Sequence, residues 1–330
     1  MPTSLAPQRC APVAIRWLAA LGVLALVLSG CQASAPWQPD QGAPHPLAGK
    51  IHQTAGDRFV DQATLIADLA AADFILLGER HDNSDHHRLQ ALLIGELQAA
   101  SARPRVVAFE MIPADRQLQA VEYLQAHPGD AAGLGAAVGW SALGWPDWAL
   151  YRPIAEVALA SGAEIVAADL SQSQKRAVFR DGPRVLQAPM VRRTGLDRQL
   201  PEPLATSLAQ ELRDAHCGEV PEPVVAGMFR VQRARDAMMA DRLATVGRRA
   251  GGVLIAGNGH VRNDRGVPWY LGRIRPDARI LSVGLLEVLE GVDHAPGDLP
   301  FDYVWFTPAA GEGEPCGDVE QLERELPQRS

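Results

Sequence analysis

Six short apolar runs constrain this chain more than any other feature: "FILLGE", "RVVAFEM", "AEIVAADL", "GGVLIAGNGH", "ARILSVGLLEV" and "DYVWFTP". They are continuous rather than alternating, which is the pattern of strands buried on both faces. Between the early ones lie stretches of helical period: "TLIADLAAA", "DHHRLQALLIGELQAAS", "ADRQLQAVEYLQAH" and "WALYRPIAEVALASG". Strands alternating with helices predict an α/β fold, a mostly parallel β-sheet flanked by helices. Ahead of them, "GKIHQTAGDRFV" reads as a small hairpin turning near Ala55 and Gly56. Two connections are too long for simple crossovers. Residues 112–153 hold more than one helix and residues 171–249 about three, which predicts a smaller helical cap subdomain.

The residues that end these runs are polar. "FILLGE" ends on Glu79 with His81 two residues on, "RVVAFE" on Glu110, "IVAAD" on Asp169, and "VLIAGNGH" on Asn258 and His260. In a parallel sheet all carboxyl ends point to one edge, where open α/β folds bind ligands. Residues remote in sequence are therefore expected on one rim. Two histidines with two or three carboxylates suit a divalent ion such as zinc, manganese or iron, with Glu79, His81, Glu110 and His260 as ligands. The same set also suits a metal-free arrangement in which a histidine is the general base and a glutamate fixes its tautomer. Both remain open at this point.

"HDNSDHH", from His81 to His87, holds three of the nine histidines. Asn83 or Ser84 is a good N-cap, and Asp85 in the first turn suits the helix dipole. His86 and His87 have no such structural reading. The positive helix end disfavours imidazolium and leaves them as neutral candidates for ligand contact.

The amino terminus reads as a secretory signal. Arg9 and Arg16 precede "WLAALGVLALVL", an apolar run short of the roughly 20 residues that span a bilayer. "LSGC" at Leu28 to Cys31 resembles a bacterial lipobox, which implies cleavage before Cys31, lipid on that cysteine, and a tether over residues 31–46. Gln32, not being aspartate, favours the outer membrane by resemblance to sorted lipoproteins. The expected division is thus a signal over 1–30, the tether, an α/β domain over 47–310 and a tail over 311–330. Cys217 and Cys316 lie in loop-like surroundings, and an oxidising compartment favours a disulfide between them over two free thiols. A formal charge of -8 argues against nucleic acid as partner.

"LLGERHDNSDHHRLQ", "FEM", "WALYRPIAEVA", "VQRARDAMMADRL" and "IAGNGHVRNDRGVPWYL", in that order, resemble the successive motifs of the ChaN-like haem-binding lipoproteins. That family is grouped with TIKI proteases, TraB-like proteins and erythromycin esterase-like hydrolases. The resemblance implies an α/β domain with a helical subdomain, haem as ligand, and a role in haem or iron acquisition. Further partners implied are the outer membrane through the anchor, a haem-uptake receptor and a second copy in a homodimer. In the hydrolytic relatives the positions matching Glu79, His81, Glu110 and His260 form the active site, so a hydrolase of esters or peptides is the rival reading. Binding and hydrolysis share one architecture.

Haem iron takes an axial histidine, tyrosine, methionine or cysteinate, and the macrocycle takes an apolar wall. The resembled family is associated with tyrosine ligation assisted by histidine. Of the four tyrosines, Tyr151 is the first candidate because it lies near Trp145 and Trp148, and Tyr270, in "GVPWYL", is second. His81, His86, His87 and His260 complete the candidate haem-binding set. Met228, Met238 and Met239 recur at helical spacing and read as core, while Gln232, Arg235 and Asp236 on the same helix are candidates to support the rim. The cationic stretch holding Lys175, Arg176, Arg180, Arg184, Arg192, Arg193 and Arg198 reads as a solvated face, with propionate or anionic lipid as the sharper alternative.

Overall fold

The computed structural model describes residue 37 and residues 45–310, apart from 102–103, 217, 219 and 289–298. Cys31, Cys217 and Cys316 lie outside the described residues, as does the signal segment, so the lipid and disulfide expectations fall there too.

All six apolar runs are strands. With the hairpin they give β1 (Ile51–Gln53), β2 (Arg58–Val60), β3 (Phe74–Leu77), β4 (Val106–Pro113), β5 (Ile165–Asp169), β6 (Gly252–Ile255), β7 (Ile280–Val288) and β8 (Tyr303–Pro308). They form one sheet in the order β2-β1-β8-β7-β3-β6-β4-β5. From β8 to β5 every neighbour is parallel, and only the hairpin runs antiparallel. Every residue of β3, β4, β5 and β6 is buried, as the continuous runs require.

The helices are α1 (Gln62–Ala70), α2 (Ser84–Ala99), α3 (Gln117–Ala126), α4 (Ala131–Ala137), α5 (Trp148–Ala160), α6 (Gln172–Asp181), α7 (Ala188–Thr194), α8 (Glu202–Asp214), α9 (Glu222–Val246) and α10 (Val267–Ile274). The long connections hold three helices between β4 and β5 and four, rather than three, between β5 and β6. Ile112 and Pro113 complete β4 instead of opening the cap.

One face of the sheet packs on α9. Phe74 and Leu76, Val106 and Ala108, Val166 and Ala168, and Leu254 and Ala256 point to it with the strand period of two. From α9 come Ala234, Ala237, Ala240, Leu243 and Ala244, small enough along one stripe to bring the helix close. Met239 is wholly buried there with Met238 packed against it, as helical spacing implied.

The free edge of β5 is covered by side chains. Gln117 donates to the carbonyl of Ile165 at 3.0 Å and accepts from the N–H of Ala167 at 2.8 Å, so its amide imitates one residue of a neighbouring strand. Arg242 donates to the carbonyl of Ala167 at 3.0 Å.

Candidate functional site

The polar residues predicted for the carboxyl edge converge there. Glu79 and His81 follow β3 and Glu110 lies within β4, where the pairing with β5 slips between Phe109 and Pro113. Such an irregularity re-aims a side chain. His260 follows β6, and α9 brings Gln232, Arg235 and Asp236 to the same end of the sheet.

Two carboxylate–imidazole groups flank Gly257. In the first, Oε1 of Glu79 lies 2.8 Å from Nδ1 of His81 and accepts the phenol proton of Tyr151 at 2.7 Å. Oε2 stands 3.3 Å from Nε2 of His87, although their alignment falls short of a hydrogen bond. Burial works against the charge of Glu79, yet the bonds and charges of His81 and His87 outweigh it and hold the carboxyl far below its ordinary range. His81 is likewise opposed by burial, and its bond to Glu79 with the field of Glu110 raises its pKa.

In the second, Nδ1 of His260 meets Oδ1 of Asp236 at 2.6 Å and Nε2 lies 3.4 Å from Oε1 of Glu110. Burial disfavours the imidazolium, but Glu110 and Asp236 raise the His260 pKa to about 9. Burial pushes the Asp236 carboxyl up to about 6. Glu110 accepts from Nη2 of Arg235 at 2.6 Å and from the N–H of Gly257 at 2.7 Å. Burial again opposes its charge, and His260 and Arg235 bring its pKa well below the ordinary value. Arg235 also forks onto Asp169 through Nε at 3.0 Å, and Lys175 reaches the same carboxylate at 2.6 Å.

Arg235 already supplies the positive charge between the two buried carboxylates. Among the described residues no group of three or more His, Cys, Asp or Glu is arranged to hold a metal ion. The metal reading of Glu79, His81, Glu110 and His260 therefore finds no support, because the oxygens it needs are committed to Arg235, the Gly257 N–H, Tyr151 and His81.

The remaining candidates divide sharply. His86 is buried; its Nδ1 accepts from the N–H of Arg80 at 2.8 Å, which leaves the proton on Nε2 to bond Thr307 Oγ1 at 2.7 Å. Both its ring nitrogens are thus occupied, and burial pushes its pKa down to about 3. Tyr270 is engaged in the same way. It sits in the core, its oxygen accepts from Nε of Arg233 at 2.9 Å, and burial pushes its phenol up to about 12. His87 is buried with its ring 4.3 Å from that of Tyr151.

Tyr151 itself is wholly buried, and burial together with the charge of Glu79 pushes its phenol far above the ordinary value. Tyr123 and Tyr303 are engaged as well, with Asp130 and Asp68. All four tyrosine oxygens thus have a protein partner. His81 differs, with a side chain 33% exposed and a ring set edge-on to Trp145 at a centroid separation of 4.7 Å.

Two site features were not anticipated from sequence. Gly257 leaves room for the histidine: a Cβ there would stand 3.0 Å from His81 Nε2 and 3.7 Å from Glu110 Oε2. The pair of glycines in "GNGH" was its only signal. Asn258, expected on the rim, instead bonds backbone of β7, donating to Leu285 O at 2.7 Å and accepting from Leu285 N at 3.1 Å.

Known proteins bear on this arrangement. A family described as "Haem-binding uptake, Tiki superfamily, ChaN" matches residues 65–271. Among solved structures, ChaN of Campylobacter jejuni, described with cofacial haem binding, is similar in fold. The TM-score is 0.62 at 22% identity, over 77% of this chain and 95% of that one. The type III effector HopBA1 gives a TM-score of 0.42 at 15% identity over 74% of this chain and 92% of its own. An erythromycin esterase, EreC, in its open conformation gives 0.41 at 14% over 77% and 81%. No curated protein matches the chain. The family match covers well over half of the 330 residues, and the chain belongs to the ChaN family of the Tiki superfamily.

Proposed function

We propose that this chain binds haem at the rim and serves haem or iron acquisition as a lipid-anchored protein of the cell envelope. Membership of a family described by haem-binding uptake supports the ligand. The observation that carries the reading is the state of His81. Its Nδ1 is fixed by Glu79 at 2.8 Å, which sets Nε2 close against Gly257 in a side chain that is 33% exposed. A carboxylate behind an imidazole is the usual arrangement for a histidine that ligates metal, since it sets the tautomer and raises basicity.

The residues present fit haem. His81 offers the axial nitrogen and Trp145 a flat apolar wall, while Arg80, paired with Asp82 and Glu287, and Lys175, paired with Asp169, would exchange or share those partners to meet the propionates. The bound haem would supply the iron that accepts the imidazole nitrogen. Tyr151 then acts through Glu79 rather than on iron, which departs from the tyrosine ligation that the resemblance implied. Titration with haemin tests the reading: saturable binding that His81→Ala abolishes and Tyr151→Phe retains supports it. The reverse order returns the ligand to Tyr151.

Hydrolysis is the second reading, favoured by one observation. Two carboxylate–imidazole pairs, Glu79 with His81 and Asp236 with His260, face one rim, as acid–base cleavage of an ester or peptide requires. Turnover dependent on Glu79, in a protein that does not bind haemin, would establish it instead. For the anchor, "LSGC" supports lipidation at Cys31 and the outer membrane as the location. A receptor and a second copy of the chain complete the proposed partners.

A further inference from the structure

The opposite, amino-terminal edge of the same strands carries a separate concentration of positive charge. A cleft of about 290 Å³ opens there, lined by Asp73, Arg105, Arg248, Arg249, Gly251 and Arg275 among others. The four arginines come from three places in the chain: just before β4, the turn after α9 (two of them), and the end of α10. Arg105 is only 7% exposed. Its Nη1 donates to the carbonyl of Ala72 at 2.7 Å and its Nη2 to that of Ala70 at 2.8 Å, so neutral groups at the end of α1 satisfy the terminal nitrogens. Nε of Arg105 and Nη1 of Arg275 are buried and have no acceptor among the described residues.

Among the described residues this charge is only partly balanced, by the field of Asp73 on Arg105 and by the Phe74 ring 5.2 Å from the Arg275 guanidinium. The one carboxylate lining the cleft, Asp73, accepts the N–H of Arg279 at 2.8 Å, and among the described residues none of the four arginines is in an ion pair. A buried guanidinium without a counter-charge is unfavourable, and the carbonyl ends of α1 and α9 offset only part of that. The turn is built to hold the arginines close. Gly251 has φ +78°, and a Cβ on it would stand 2.9 Å from Nη1 of Arg105. The turn therefore packs directly on that guanidinium and brings Arg248 and Arg249 to the mouth.

We propose that this cleft binds a phosphate-class oxyanion, either free phosphate or the phosphate of a phospholipid headgroup. Several guanidiniums arriving from different directions suit a tetrahedral anion with acceptors on every side better than a planar carboxylate. The site lies at the other end of the strands from the rim, so it is independent of haem.

The test is calorimetric titration of the full protein with inorganic phosphate and, separately, with short-chain phosphatidylglycerol below its micelle-forming concentration. Saturable binding of either supports the proposal, and the tighter of the two identifies the source. The double variant Arg248→Ala with Arg249→Ala should weaken it by about tenfold or more, since each lost charge-assisted bond is worth that much. Both side chains are exposed, so the melting temperature should not change. Arg105→Gln provides a second route, with the same loss expected. Absence of saturable binding to both ligands, or binding that the exposed double variant leaves intact, would overturn the proposal.

Discussion

The phenol of Tyr151 donates to Oε1 of Glu79 at 2.7 Å, and that same oxygen lies 2.8 Å from Nδ1 of His81. One carboxylate oxygen therefore couples a buried tyrosine to a half-exposed histidine. Tyr151→Phe keeps the ring and removes only this donor. A buried carboxylate that loses a hydrogen bond costs about 1–3 kcal/mol, and urea unfolding should show a destabilisation of that size. An unchanged midpoint would mean that the bond does not hold Glu79.

The His81 ring packs where a side chain on Gly257 would otherwise stand. Gly257→Ala would place a Cβ 3.0 Å from its Nε2, and the ring, being partly exposed, can turn away without unfolding the protein. The expected outcome is haemin affinity reduced by about tenfold or more, the loss of roughly one good contact, with little change in melting temperature. Retained affinity would show that the ligand approaches from elsewhere.

Arg235 stands between Glu110 and Asp169, at 2.6 Å and 2.9 Å in its ion pairs with them. Arg235→Leu leaves two buried carboxylates without their cation, a change worth about 3–5 kcal/mol of stability. Arg235→Lys keeps the charge but cannot fork onto both, so it should fall between wild type and the leucine variant. Equal stability of all three in urea would show that the pairing contributes nothing net.

Much of this was legible in the sequence because it followed from burial. The continuous runs ending at Glu79, Glu110, Asp169 and His260 could only be strands covered on both faces, and strand ends in a parallel sheet share an edge. The order of strands was not legible. β6 lies between β3 and β4 although it follows both, and hydrophobic pattern does not encode which gap a late strand enters. The opening cluster shows the same limit at the scale of one turn. His81, His86 and His87 have similar local chemistry, but Thr307, more than 200 residues away, claims His86, while Glu79 and the Tyr151 ring enclose His87. Only His81, just ahead of the helix cap Asn83, remains facing out. For a related reason aromatic neighbours in sequence marked Tyr151 without revealing that its oxygen points at Glu79.

His260 gives a pH dependence with a definite sign. Its folded pKa, about 9, lies above the unfolded value of 6.5, so its contribution to stability is fully present below about pH 6.5 and is lost as the pH rises through about 9. Integrated over that window the loss is at most about 3 kcal/mol. Asp236, raised from 3.8 to about 6, has the same sign: its contribution is fully present below about pH 4 and is lost as the pH rises through about 6. Unfolding curves from pH 6.5 to 9 should show declining stability in the wild type and a flatter profile in His260→Gln. A wild type whose stability rises across that range would contradict the assignment.

The proposed anchor depends on one sulfur. Cys31→Ser removes the thiol that acylation requires, so the variant should remain uncleaved or lack the lipid, whereas the wild type should partition with membranes. Mass spectrometry of the mature wild type showing an unmodified Cys31 would remove the anchor.

The most direct measurement concerns His81 and iron. His81→Gly removes the imidazole and leaves a gap that free imidazole can enter. Haemin spectra should show an altered Soret band for the glycine variant, restored on adding imidazole, with Tyr151→Phe close to wild type. A Soret band unchanged in His81→Gly but lost in Tyr151→Phe would contradict histidine ligation.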